Sequence, residues 1–158
     1  MKLPIWIASW EIECCQPDAT IGTDWTTYPF VNIGSQPWWA EKATQPIPAE
    51  VAELGTITLT GTIANHGDRT TITTRGITLP IHGETPSPPF SARLVVDAHT
   101  DTTFPITGIV EHVLGINYQR KNGWPITQLP ATELHSTSER HDGFDEYLIT
   151  LRTAENHN

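Results

Sequence analysis

The sequence is poor in cysteine, and the cysteines it has are adjacent. With only Cys14 and Cys15, no disulfide framework can hold the fold together. A disulfide between neighbouring residues is rare, so we expect two free thiols, which are typical of a reducing compartment. This pattern predicts a cytoplasmic protein.

Long apolar runs are also absent. No window approaches the roughly 18 uncharged apolar residues that a membrane-spanning helix needs. Near the N-terminus a short apolar run is interrupted by Pro4 and followed by Glu11 and Glu13, which does not fit a secretory signal peptide. We therefore expect no membrane partner and no export by such a signal.

Positive charge is scarce. The 9 Lys and Arg residues stand against 18 Asp and Glu residues, and the formal net charge is -9. Such a field repels phosphate backbones, so nucleic acid is not expected as a partner. A protein partner is expected instead.

Residues with β-branched side chains are abundant. The chain contains 24 threonines and 16 isoleucines among 158 residues, and such side chains fit a pleated sheet better than a helix. The 13 prolines and 11 glycines are spread along the chain and interrupt every long helical pattern. The length is that of one compact domain.

Alternation of apolar and polar side chains predicts where the strands lie. The expected strands are 5–15, 23–30, 56–63, 70–79 with a bulge at Gly76, 92–98, 107–119 with a kink, and 144–153. The expected loops are 34–48, the proline-rich and exposed 84–89, and 134–143, with one helical turn at 49–54. The inward face of the first strand is expected to carry Trp6, Ala8, Trp10, Ile12 and Cys14.

About eight short strands and no long helix indicate an all-β fold, either a small barrel or a sandwich, with long irregular loops. Nothing marks a boundary with a core on both sides, so residues 1–153 are predicted to form a single β-domain. Residues 154–158 are expected to fray as a C-terminal tail.

The N-terminal region carries a distinctive pattern, in which Trp6 and Trp10 precede the paired cysteines. After the cysteines come Gly22, Asp24 and Trp25. This order resembles the opening of an uncharacterised actinobacterial family, a domain of unknown function, in which an aromatic-rich strand ends in Cys-Cys-Gly before Gly-Asp and a Trp. Later elements of that family are similar to His66-Gly67, Gly108-Ile109-Val110 and Tyr147-Leu148-Ile149.

The resemblance implies an intracellular protein of bacterial or bacteriophage origin and brings no activity with it. One departure stands at Gln16 and Pro17, because the family has glycine directly after its paired cysteines. A different turn is therefore implied at this point of the chain.

The paired cysteines are the first candidates for chemistry. On a strand, Cys14 and Cys15 point to opposite faces, which favours structural packing over chelation of one metal by both. A catalytic thiolate needs an imidazole close by to lower its pKa. The enzyme alternative is therefore a small thiol-dependent activity or hydrolase using Cys14 or Cys15 with a histidine brought near by folding, such as His66.

No histidine or cysteine motif has metal-ligand spacing. The nearest pattern is His99 with Asp101, whose i, i+2 spacing places both side chains on one face of a strand. These two residues are the alternative metal site, and no cofactor is expected.

Trp38 and Trp39 are the candidate binding residues. They lie in an irregular segment between Pro37 and the charged Glu41 and Lys42, where both rings cannot easily be buried. Exposed aromatic pairs mark contact surfaces for a protein or a sugar ring. The alternative is a loop that folds back and caps the domain with these rings.

Together these patterns predict a non-enzymatic β-domain that binds another protein or forms part of a bacterial or bacteriophage assembly. The predicted contact surfaces are Trp38 and Trp39 and the 84–89 segment. A virion component is the alternative to a cytoplasmic protein. The two other functions left open are the thiol-dependent enzyme and a carbohydrate-binding module built on the tryptophan pair.

Replacing Trp38 and Trp39 together by alanine tests the predicted contact surface. Because exposed rings serve binding rather than folding, the double variant should lose capture of protein partners in a pull-down while its melting temperature stays nearly unchanged. A large fall in melting temperature would instead place both rings in the core.

Overall fold

In a computed structural model, the chain is built mostly of β-strands. The structure describes residues 1–33, 54–96, 103–139 and 143–154. In chain order, its elements are β1 (Lys2–Ala8), α1 (Ser9–Cys14), β2 (Asp24–Thr27), β3 (Phe30–Ile33), β4 (Thr56–Leu59), β5 (Thr62–His66), β6 (Arg69–Thr74), β7 (Ile77–His82), β8 (Phe90–Val96), β9 (Ile106–Ile116), β10 (Tyr118–Lys121), β11 (Trp124–Gln128), β12 (Thr132–Leu134) and β13 (Glu146–Arg152).

Eleven of these strands form one sheet. Adjacent, hydrogen-bonded strands follow the order β12-β9-β13-β1-β8-β3-β7-β6-β5. In addition, β2 pairs with β9 and β4 pairs with β8. The strands β10 and β11 form a separate two-stranded sheet. Within the described residues this order does not close into a barrel, and the predicted all-β fold is confirmed in a sandwich-like form.

The strand β1 lies at the centre of the sheet. It pairs antiparallel with β13 along its whole length and parallel with β8 through Ile5, Trp6 and Ile7. On one face Leu3, Ile5 and Ile7 are fully buried in the main core. On the other face Trp6 is buried in a second cluster that includes Leu148. Both faces of β1 are therefore covered.

The expectation of a strand over 5–15 is wrong beyond Ala8. Pairing of β1 ends with Ile7 opposite Val96 of β8 and Ala8 opposite Glu146 of β13. The backbone after Ala8 continues as the helix α1. The Ser9 amide donates to the carbonyl of Asp145 and the Cys15 amide to the carbonyl of Glu11, so these amides are satisfied without strand pairing. As a result, the side chain of Trp10 is 54% exposed instead of facing inward.

A tight turn divides one of the expected strands and a bend divides another. Segment 70–79 is not one strand with a bulge, because Arg75 and Gly76 have φ values of 48° and 81° and join β6 to β7 in a two-residue turn. Segment 56–63 is divided into β4 and β5 near Gly61, whose φ is 147°. Such divisions, together with the strands β11 and β12 that were not expected, explain why the described residues form thirteen strands rather than about eight.

The kink expected in 107–119 is confirmed in β9. The partners of Thr150 and Leu151 are His112 and Val110, so Glu111 is one extra residue in β9 and forms a bulge. Because the bulge is next to the C-terminal end of β13, it lets the Glu111 carboxylate reach Arg152 at 2.9 Å.

Replacing Gly61 by alanine is expected to destabilise the sheet more than the same change at Gly67. Both glycines have positive φ, but a Cβ at Gly61 would clash with the backbone carbonyl of Thr73, whereas one at Gly67 meets nothing within 4 Å. Because Thr73 pairs with Thr62 of β5, its carbonyl cannot move without disturbing that pairing. We expect Gly61→Ala to lose about 1–3 kcal/mol more free energy of unfolding than Gly67→Ala, measured by urea denaturation. Equal losses would contradict this explanation.

Candidate binding site

The face of the sheet opposite the main core carries an open groove. The strand register places Trp6, Val95 and Phe30 in one row across β1, β8 and β3. These side chains give the groove an apolar floor, and its volume is about 700 Å³. Cavities of roughly this size hold small ligands or the anchoring side chains of a peptide. The groove is defined by six of its lining residues: Trp6, Trp10, Phe30, Arg93, Tyr118 and Glu146.

The indole of Trp6 is held in place by a contact with the chain segment before β4. Its Nε1 donates a hydrogen bond to the carbonyl oxygen of Gly55 at 3.2 Å. A Cβ at Gly55 would lie 2.5 Å from this nitrogen, so only glycine permits the close approach. The ring is thus fixed before any ligand arrives.

Arg93 is a buried cation beside this ring. Its Cζ lies 4.4 Å from the Trp6 ring centroid, a distance at which a guanidinium is attracted to the aromatic face. The residue is only 4% exposed, and burial lowers the pKa of Arg93 from its usual value. Tyr118 and Glu146 oppose that shift through charge interactions. Arginine still keeps its charge, so the groove contains a positioned cation.

Tyr118 and Glu146 form one wall of the groove. They are the first residues of β10 and β13, and the Tyr118 hydroxyl donates a short hydrogen bond to Oε2 of Glu146. A hydrogen bond to a charged acceptor is stronger than one between neutral groups. This bond joins the small sheet to the main sheet at the edge of the groove.

Asp145 organises the rim next to this wall. One carboxylate oxygen lies 2.7 Å from Nη2 of Arg120 in an ion pair, and the other accepts a hydrogen bond from the Tyr118 backbone at 3.0 Å. Its own carbonyl accepts a hydrogen bond at 3.1 Å from the amide of Ser9, where α1 begins. Asp145 therefore holds both β10 and α1 at the rim.

The opposite side of the groove ends in a stacked pair. The rings of Phe30 and His82 lie with centroids 4.0 Å apart and planes 12° from parallel. Asn32, in β3, lies opposite Arg93 of β8 on one side and opposite His82 of β7 on the other. This side combines an aromatic surface with polar groups.

The helix α1 contributes the exposed part of the site. Trp10 lines the groove and is 54% exposed, while the neighbouring Glu11 also lines it and is 1% exposed. At the end of the helix, Cys14 and Cys15 are joined in a disulfide, and both residues are exposed. The expectations of free thiols and of cysteines on opposite faces of a strand are therefore wrong.

The structure does not bring the predicted catalytic residues together. The sulfurs of Cys14 and Cys15 are bonded to each other, so neither is a thiolate in this form. His66 ends β5, which is separated from β1 in the sheet by β8, β3, β7 and β6. The thiol-dependent enzyme with His66 stays a prediction that needs another state of the chain.

The other predicted site residues, Trp38, Trp39, His99 and Asp101, lie outside the described residues. In the part of the chain that the structure describes, no group of three or more metal-ligating side chains is found. No helix in that part is long and apolar enough to cross a membrane. The 84–89 segment lies outside helices and strands, and most of its residues are exposed as predicted.

The charged half of the groove was not predicted from the sequence. Arg93 lies within the mainly apolar segment 92–98 that was predicted to be a strand, and a charge on such a strand signals a second, polar contact. That signal could have marked Arg93. The pairing of Tyr118 with Glu146 spans 28 residues, and no local pattern indicates it.

Removing the Tyr118 hydroxyl tests whether its hydrogen bond with Glu146 stabilises the fold. We expect Tyr118→Phe to lose about 1–3 kcal/mol of free energy of unfolding, because the hydrogen bond has a charged acceptor. In a double-mutant cycle with Glu146→Gln, measured by urea denaturation, the two losses should not add. Additivity within about 0.5 kcal/mol would show that the two residues do not interact.

No family model, no curated protein and no solved structure matches this chain. The resemblance to the actinobacterial family stays a prediction.

Proposed function

We propose that this chain is a non-enzymatic binding domain that holds a segment of a partner protein in the groove. The observation that carries this proposal is the apolar, aromatic floor of an open groove with charged side chains at its edge. Protein interfaces have this anatomy, with an apolar centre surrounded by a polar rim.

Trp10 supports a protein as the partner. Among the described residues, the large hydrophobic side chains that are exposed are Trp10 and Leu129, at 54% and 41%, and of these Trp10 lines the groove. Tryptophan is enriched at the positions that dominate binding energy in protein interfaces. An exposed indole beside a concave apolar surface fits such a position.

The charges of the site support a partner segment with basic residues next to its apolar anchor. The groove is lined by the carboxylates of Glu11, Asp145 and Glu146 and by the guanidinium groups of Arg93 and Arg120. The balance is acidic, as it is for the whole chain, whose formal net charge is -9. Opposite charge on the partner would speed association and suppress acidic competitors.

The pairing of charged groups within the site supports binding by a surface that is already formed. The ion pair of Arg120 with Asp145 and the hydrogen bond of Tyr118 with Glu146 position these side chains without a partner. A preorganised surface loses less conformational entropy on association.

The resemblance of the N-terminal residues to the actinobacterial family favours, as the partner, another component of a bacterial or bacteriophage assembly. Its place would be the cytoplasm or a virion. The predicted surface of Trp38 and Trp39 would then add a second contact for the same partner or another one.

A peptide experiment tests the proposal. Selection of random displayed peptides on the immobilised chain should enrich segments with an aromatic or aliphatic anchor flanked by Lys or Arg. With a selected peptide, Trp10→Ala should raise Kd about tenfold or more, measured by fluorescence anisotropy, because a central tryptophan commonly contributes about 2 kcal/mol or more.

The matched control is Leu129→Ala, which removes the other exposed hydrophobic side chain without touching the groove lining. Its Kd should stay within about twofold of the parent value, well below the tenfold change that about 1.4 kcal/mol of binding free energy produces. Enrichment of acidic peptides, or an equal effect of both variants, would overturn the proposal.

A further inference from the structure

The disulfide of Cys14 with Cys15 lies on the surface at the end of α1, the helix whose first residues line the groove. Both cysteines are exposed, so the bond fills no space in either hydrophobic cluster.

Stabilisation of the fold does not explain the bond. A disulfide stabilises a protein mainly by closing a loop of the unfolded chain, and the effect grows with the number of residues in that loop. The sequence separation of this pair is 1, which is the smallest loop that a disulfide can close. The bond therefore constrains the unfolded chain very little.

Exposure favours a chemical role instead. Thiol–disulfide exchange requires a thiolate to reach one of the sulfurs, and exposed disulfides are the labile ones. We propose that Cys14 and Cys15 form a redox-active site that a dithiol reductant converts reversibly between disulfide and dithiol. This inference does not depend on the proposed binding function.

The reaction has two steps. A thiolate of the dithiol attacks one cysteine sulfur, the Cys14–Cys15 bond breaks, a mixed disulfide forms, and the released cysteine takes up a proton. The second thiolate of the reductant then attacks the mixed disulfide, and the other cysteine leaves and takes up a proton. The cysteine pair gains two electrons and two protons, and the dithiol becomes a disulfide.

The last turn of α1 connects this site to the groove. The carbonyl oxygen of Glu11 accepts hydrogen bonds from the amides of Cys15 and Gln16, both at 2.9 Å. The Sγ atom of Cys14 lies 3.8 Å from the same oxygen. Reduction gives this sulfur a proton that it can donate to the Glu11 carbonyl, so the hydrogen bonding of that carbonyl depends on the redox state of the cysteines. Trp10, which precedes Glu11 and is four residues before Cys14, lies on the same helix face as that cysteine.

Equilibration of the folded chain with mixtures of reduced and oxidised dithiothreitol tests the site. After acid quenching and alkylation with N-ethylmaleimide, intact mass should show two modified thiols per chain at the reducing end and none at the oxidising end, in both directions of approach. The melting temperature should change by less than about 4 °C, because the bond closes so small a loop. Resistance to reduction below the unfolding transition, failure to reoxidise, or loss of the β-sheet circular dichroism signal on reduction would overturn the proposal.

Tryptophan fluorescence tests the connection to the groove. Reduction should change the emission of the parent chain, and Trp10→Phe should remove most of that change. The double variant Cys14→Ser with Cys15→Ser is the control, because it retains Trp10 but cannot cycle and should show no response to dithiothreitol. A full response in Trp10→Phe, or any response in the double serine variant, would refute the connection through α1.

Discussion

Burial of β1 on both faces is the constraint on which the rest of the structure depends. The strand is paired on both edges, by β13 and β8, and carries Ile5 and Ile7 into the main core and Trp6 into the opposite cluster. A strand in this position cannot slip by one residue without exchanging the two sets of side chains. The register of β1 therefore determines what lies on each face of the sheet.

The groove results from that register. Because Trp6 points away from the main core, the sheet carries aromatic surface on a second face, and neighbouring strands add Val95 and Phe30 to the same row. That face is closed only partly, by the small sheet that Tyr118 and Glu146 tie to the main one. The groove is thus an aromatic floor with an incomplete cover, and α1 supplies its exposed edge where pairing of β1 ends.

Local sequence patterns predicted where the strands lie better than they predicted where each strand ends or which of its faces is buried. Segments rich in Thr and Ile became strands where expected, yet the turn at Arg75 and Gly76 was predicted as a bulge. The hairpin from β10 to β11 was missed, although Asn122-Gly123 is a dipeptide that two-residue turns favour. Alternation alone also assigned the wrong inward face to the first strand, because it cannot tell a strand buried on one side from one buried on both.

The sequence by itself determined the all-β class, because the strand preference of β-branched side chains and the alternation of apolar residues act over a few neighbouring residues. Only the tertiary structure decided that Arg93 lies on Trp6 and that Tyr118 bonds to Glu146. Those contacts join strands distant in the chain, and their energy depends on burial and on the order of the strands in the sheet, which short-range patterns do not contain.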